Sequence, residues 1–210
     1  GLVLSTITKL KQICNHPTLF LKDGSSLAGR SHKLTRIEQL LEELIAEGDK
    51  ALLFTQFAQF GHLLQPYLQE KIGKEVLFFH GGLTQKERAR IIDKFQQKSG
   101  PPLLILSLKA GGFGLNLTEA NQVIHVDQWW NPAVETQATD RAFRIGQKRN
   151  VQVRKLICQG TLEEKISAMQ KHKLELVEKI MGETKNEITQ LSTDELKRLL
   201  ELSSSFDENE

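Results

Sequence analysis

Leu2, Leu4, Ile7, Leu10 and Ile13 recur at helical spacing. The pattern stops at Asn15-His16-Pro17, because the residue before a proline is pushed away from the α region. Residues 22 to 32, rich in Gly and Ser, read as a loose linker. Helix resumes from about Lys33 to Glu47, with Leu34, Ile37, Leu40, Leu41, Leu44 and Ile45 on one side and Gly48 as its stop. The pattern then alternates. Apolar runs at Ala51 to Thr55, Glu75 to Phe79, Leu103 to Ser107 and Val123 to Val126 predict strands, and Ala58 to Lys71 and Thr84 to Gln97 predict helices between the first three. Short continuous apolar strands between amphipathic helices indicate α/β architecture, a parallel sheet with helices on both faces. Asn131-Pro132 starts another helix, a capping residue followed by proline at the first helical position. Val151 to Cys158 predicts one more strand. Thr161 with Glu164 predicts a capping box for a long helix to about Met181, and Ser192 with Glu195 repeats the device for a short final helix. The acidic tail Ser203 to Glu210 reads as disordered.

Composition narrows this picture. At 210 residues with 39% hydrophobic residues the chain supports a sizeable core. A net charge of +2 means that any nucleic-acid affinity must come from a local patch. Such a patch exists: Arg141, Arg144, Lys148, Arg149, Arg154 and Lys155 follow one another with no acidic residue among them, an ordinary solvated cationic face being the lesser alternative. Cys14 and Cys158 are too few and too distant in sequence for a disulfide framework, and neither has metal-ligand spacing, so a reducing interior is expected. The histidines are scattered without zinc-site spacing, and no metal site is expected. No run approaches the roughly 18 apolar residues that span a bilayer, so no membrane partner is expected. Gly1 opens inside a helical pattern, so further chain is expected upstream.

Several positions carry chemistry. On a helix, Gln137, Arg141 and Arg144 would share one face at i, i+4 and i+7, with arginine forks suited to phosphate oxygens. The complementary Walker A loop is absent from the sequence. Ser107-Leu-Lys-Ala-Gly-Gly-Phe-Gly114 runs from a strand into a glycine-rich loop at the end where open α/β sheets bind ligands, and Ser107 and Lys109 add side-chain donors. A ligand-free tight turn is the plain alternative. His80-Gly81-Gly82 before the capping residue Thr84, and Thr55-Gln56, end two other strands in a similar way. Together these three ends would make a continuous phosphate-tracking edge. Asp127 follows an apolar strand like a magnesium-binding aspartate. Without a phosphate loop it is expected to shape the turn into Gln128, Trp129 and Trp130 instead.

In order, Leu52-Leu-Phe-Thr-Gln-Phe57, Phe79-His-Gly-Gly-Leu83, Ser107 to Leu117, Trp130-Asn-Pro132 and Gln137-Ala-Thr-Asp-Arg-Ala-Phe-Arg-Ile-Gly-Gln147 resemble helicase motifs of the Swi/Snf family. The resemblance is to the C-terminal RecA-like lobe of these superfamily-two ATPases, in a prokaryotic-looking form, over about residues 1 to 182. Leu10-Lys-Gln-Ile-Cys-Asn-His-Pro17 is similar to the segment preceding that lobe, and Gly160-Thr-Leu-Glu-Glu-Lys-Ile166 to the start of its bracing helix. The expected organisation is a helical segment and linker over 1–30, a RecA-like lobe over 31–160, bracing and C-terminal helices over 161–202, and the tail.

The resemblance implies ATP and Mg2+ held mainly by a first lobe that is absent here, with none expected on this fragment alone. Arg141 and Arg144 would be arginine fingers and Gln137 would position them. Asp140 would orient Arg141, while Gly112 and Asn116 would lie near the nucleotide cleft. Thr55, Gly81, Ser107, Lys109 and Trp130 would meet the backbone of double-stranded DNA. The implied partners are that DNA, the first lobe and a DNA-bound protein, in the cytoplasm at the nucleoid, or in the nucleus of a eukaryote. The implied activity is DNA translocation by the full-length ATPase, the fragment being inactive; a non-catalytic nucleic-acid or protein docking module is the alternative.

Overall fold

The computed structural model describes residues 2–107, 115–129, 131–140, 142, 146, 147 and 149–180, the last nine by their backbone alone. Its strands are β1 (Ala51–Thr55), β2 (Val76–Phe79), β3 (Leu103–Ser107), β4 (Gln122–His125) and β5 (Gln152–Lys155). Its helices are α1 (Leu2–Asn15), α2 (Pro17–Leu21), α3 (His32–Ala46), α4 (Ala58–Ile72), α5 (Gln85–Gln96), α6 (Pro132–Thr139) and α7 (Leu162–Ile180). The five strands form one parallel sheet in the order β2-β3-β1-β4-β5.

Side chains alternate across a strand, so each apolar run supplies two faces. Leu53, Phe78, Ile105 and Ile124 pack with Leu34, Ile37, Leu41, Phe60 and Leu64 of α3 and α4. Their neighbours Leu52, Leu77, Leu104 and Val123 pack on the other side with Phe95 of α5 and Ala138 of α6. Gly61 allows the close approach of α4 to β2, since a Cβ there would lie 2.3 Å from the Phe78 ring. The expected doubly covered sheet is therefore present. β5 is its exposed edge, shorter than the expected Val151 to Cys158 run, and it carries Arg154 and Lys155, charges that discourage further pairing.

Local signals hold at the helix starts. Thr84 and Glu87 form a full capping box on α5, and the Asn131 side chain accepts from the Ala133 N–H ahead of Pro132. At α7 the box is altered. Thr161 Oγ1 accepts from the Glu163 N–H at 3.2 Å, while the Glu164 carboxylate reaches back to the Gly160 N–H at 3.0 Å.

The N-terminal segment is fastened to the lobe and is no loose appendage. Ile7 of α1 packs with Leu162 and Ile166 of α7. His16 Nδ1 accepts from the Thr18 N–H and its Nε2 faces the Leu27 carbonyl at 3.0 Å, which pins the stretch read as a linker. Arg30 donates to Thr18 and Ser25 in the same stretch. Among the described residues no helix is long and apolar enough to cross a membrane. The cap at Ser192 and the tail from Ser203 lie outside the described residues.

Candidate nucleotide and nucleic-acid edge

Strand order lines up the strand ends singled out in the sequence. In register, Thr55 stands beside Ser107, Phe79 beside Leu106, and Phe54 beside His125. The carboxyl edge therefore presents His80-Gly81, Ser107, Thr55-Gln56 and Asp127 in one row across β2, β3, β1 and β4. That is the side on which open α/β sheets bind ligands.

The row is open at one end and closed at the other. Gly81 is exposed, its carbonyl accepts from Arg88 Nη2 at 2.9 Å, and the Gly82 N–H is folded back onto His80 Nδ1 at 3.2 Å. Burial, then the nearby His62 and Arg88, lower the His80 pKa and favour its neutral form. Ser107 is 2% exposed and Thr55 0%. The Thr55 hydroxyl donates to Asp127 Oδ2 at 2.6 Å and accepts from the Phe57 N–H. The Thr55 hydroxyl is thus bonded inside this lobe, where it shapes the turn after β1.

Asp127 is wholly buried and accepts from Asn15 Nδ2 at 2.8 Å, from Thr55 and from the Gln56 N–H at 2.9 Å. Both carboxylate oxygens are occupied by donors, which suits a structural aspartate and leaves it unsuited to a magnesium ion. Next to it Lys11, buried to 1% exposure, donates to the Gln128 carbonyl at 2.5 Å. Burial lowers the Lys11 pKa, against the opposing fields of Asp127, Glu163 and Glu135. Asn15 Oδ1 also accepts from Lys33 Nζ, whose ammonium is held by both oxygens of Glu163 at 2.6 and 2.7 Å. A continuous polar knot thus runs from α7 through α3 and α1 to the ends of β1 and β4. Sequence reasoning missed it; the one local sign was Lys11 and Asn15, four apart and so on one face of α1.

α6 is anchored to the same end of the sheet. Thr139 Oγ1 pairs with His125 Nε2 at 3.0 Å, the Glu135 carboxylate accepts from the Trp129 N–H at 2.8 Å, and Lys155 makes an ion pair with Glu135. Burial drops the His125 pKa to about 4. The helix closes at Thr139, where the Asp140 N–H donates to the Thr136 and Ala138 carbonyls. α6 ends at Thr139, and the Ala142 N–H reaches the Thr139 carbonyl; the face expected to be shared by Gln137, Arg141 and Arg144 rests on two arginines outside the described residues. Gln137, Asp140 and Asn116 are exposed. Arg141, Arg144, Gly112, Lys109 and Trp130 lie outside the described residues. Trp129 packs partly into the core under α6.

A parallel five-stranded sheet sandwiched by helices, with a polar row along its carboxyl edge, is a RecA-like α/β lobe. Residues 32–146 match the family described as helicase conserved C-terminal domain. The chain is 50% identical over 207 residues to "Putative ATP-dependent helicase/translocase YwqA" of Bacillus subtilis (strain 168), covering 98% of this chain and 22% of that protein. It is 37% identical over 201 residues to "DNA repair protein RAD5B" of Arabidopsis thaliana, covering 94% and 16%. Among solved structures, the Sulfolobus solfataricus SWI2/SNF2 ATPase C-terminal domain matches with a TM-score of 0.73 at 44% identity, covering 97% of this chain and 82% of that one. The ATPase core of the same kind in complex with dsDNA matches with a TM-score of 0.76 at 47% identity, covering 97% and 42%. The chain belongs to the helicase conserved C-terminal domain family, as the RecA-like C-terminal lobe of a Swi2/Snf2-type ATPase. It spans about a fifth of the length of the curated relatives it matches.

Proposed function

We propose that this lobe is the second half of an ATP-dependent motor that moves along double-stranded DNA and remodels what is bound there. The observation that carries this reading is the single row of strand ends, Gly81, Ser107, Thr55-Gln56 and Asp127, in a chain so similar to an ATPase core whose structure is titled as a complex with dsDNA. ATP would lie between this lobe and a preceding one. The exposed residues Gln137, Asn116 and Asp140 suit a cleft wall facing phosphates. Magnesium would be held by the other lobe, since Asp127 is already enclosed by donors.

In this reading Arg141 and Arg144 meet the charge that develops on the transferred phosphate. Gln137 and Asp140 hold them in register, and Gly112 and Asn116 join the cleft to the DNA track. Gly81, Lys109 and Trp130 would face the DNA, with the buried Ser107 and Thr55 holding the strand ends behind them. Contacts of this kind meet phosphates and not base edges, so binding is indifferent to sequence and falls steeply with salt. Such a motor would work in the cytoplasm on nucleoid DNA.

The test is Arg141→Ala in a protein that carries both lobes. DNA-stimulated ATP turnover falls by about 10³ to 10⁵ if the arginine is a finger. Turnover near that of the parent, in a folded variant, would overturn the proposal.

A further inference from the structure

The motor reading leaves two cysteines unused. They are 144 residues apart in sequence, yet the Cys158 thiol donates to the Cys14 carbonyl at 3.3 Å. The two sulfurs and a Glu163 carboxylate oxygen all lie within 4.8 Å of one another. Their separation in sequence gave no sign of this proximity. Both thiols are free and half-buried. Cys14 sits in the last turn of α1, and Cys158 in the irregular stretch between β5 and α7.

A metal ion is the first occupant to consider, and the third ligand argues against it. Glu163 holds the Lys33 ammonium with both oxygens, and its Oε2 also accepts from the Cys158 N–H at 3.0 Å. What remains is a pair of thiols next to a lysine, a setting for sulfur chemistry in place of cation binding. A disulfide needs the sulfurs at about 2 Å, and Cys158 lies outside any helix or strand, in the stretch between β5 and α7. The two thiols are also unequal. Side-chain hydrogen bonding from the Cys158 thiol, then from Thr161, draws the Cys14 pKa down to about 7, while that thiol–thiol pairing and burial push Cys158 up. Thiolate is the nucleophile, which makes Cys14 the attacking sulfur.

We propose that Cys14 and Cys158 form a reversible intramolecular disulfide by exchange with a low-molecular-weight disulfide, clamping the end of α1 to the turn that opens α7. The Cys14 thiolate attacks one sulfur of the reagent. The reagent's S–S bond breaks, and its first thiolate leaves and takes up a proton. Cys158 then loses its proton and attacks the Cys14 sulfur of the mixed disulfide, expelling the second reagent thiolate. Two protein thiols are oxidised by two electrons and one small disulfide is reduced to two thiols. The bond closes beside Asn15 and Glu163, so it fixes the brace behind the strand edge.

The experiment treats the folded protein with glutathione disulfide, quenches with acid, alkylates under denaturing conditions, and maps peptides without reduction. A Cys14–Cys158 linked peptide is expected in monomeric protein, with no retained glutathione, reversal by dithiothreitol and a raised Tm. In urea, where the two cysteines end a long flexible loop, separate glutathione adducts should dominate instead. Cys158→Ser should stop at glutathione on Cys14. Stable glutathione on both cysteines of the folded wild-type protein, or the same products with and without urea, would overturn the proposal without recourse to any variant.

Discussion

The sheet and the knot at its carboxyl edge are both buried, and they are built on opposite terms. Across the sheet, Leu52, Leu53, Leu104, Ile105, Val123 and Ile124 are shielded from water by apolar neighbours of similar shape, and each interaction is non-directional. In the knot, Lys11, Asn15, Lys33, Asp127 and Glu163 are shielded just as fully, but each group is tolerated only because a named partner meets it. The sheet supplies stability that many sequences could supply. The knot gives a fixed position to the turns after β1 and β4, the turns that the proposed motor needs to hold against phosphate.

Removing one partner from the knot should break that contrast most visibly. Lys33→Met leaves Glu163 buried and unpaired and is expected to cost about 3–5 kcal/mol in urea unfolding. Adding Glu163→Leu should recover much of the loss. A single variant as stable as the parent would show that the pair is not part of the fold's support.

Acid separates the regions next. His125 stands where the sheet meets α6, and burial brings its pKa to about 4, below the roughly 6.5 of an unfolded histidine. Between these values the unfolded chain binds a proton that the folded chain refuses, so stability is full above about pH 6.5 and declines as pH falls toward 4. The loss from this residue approaches about 3 kcal/mol. Chemical denaturation across that range checks it, and His125→Gln should flatten the slope.

The smallest effect belongs to the sheet. Ile124→Val removes one methylene from a fully buried position and is expected to cost about 0.5–1.5 kcal/mol. ATP turnover of the two-lobe protein at saturating DNA should be unchanged. A large loss of turnover from this change would blur the distinction between scaffold and edge.

The same contrast explains what was legible in the sequence. β1, β3 and α5 announce themselves through continuous apolar runs and the Thr84–Glu87 cap, because the determinants lie within a few residues of one another. The row of strand ends was legible too, since parallel strands place all their carboxyl ends on one edge. The knot was not. Asn15 and Asp127 are 112 residues apart, and Lys33 and Glu163 are 130 apart, so no local periodicity marks them as partners. Thr55 looked like an outward donor for the same reason, because its acceptor lies 72 residues away.

The central claim is that this lobe holds half of an active site. Its most direct test is the rate of ATP hydrolysis, with and without duplex DNA, for the 210-residue chain alone and for the same chain joined to its preceding lobe. The account predicts no measurable turnover from the chain alone and DNA-stimulated turnover once both lobes are present. Robust hydrolysis by the isolated chain, unaffected by Arg141→Ala, would contradict it.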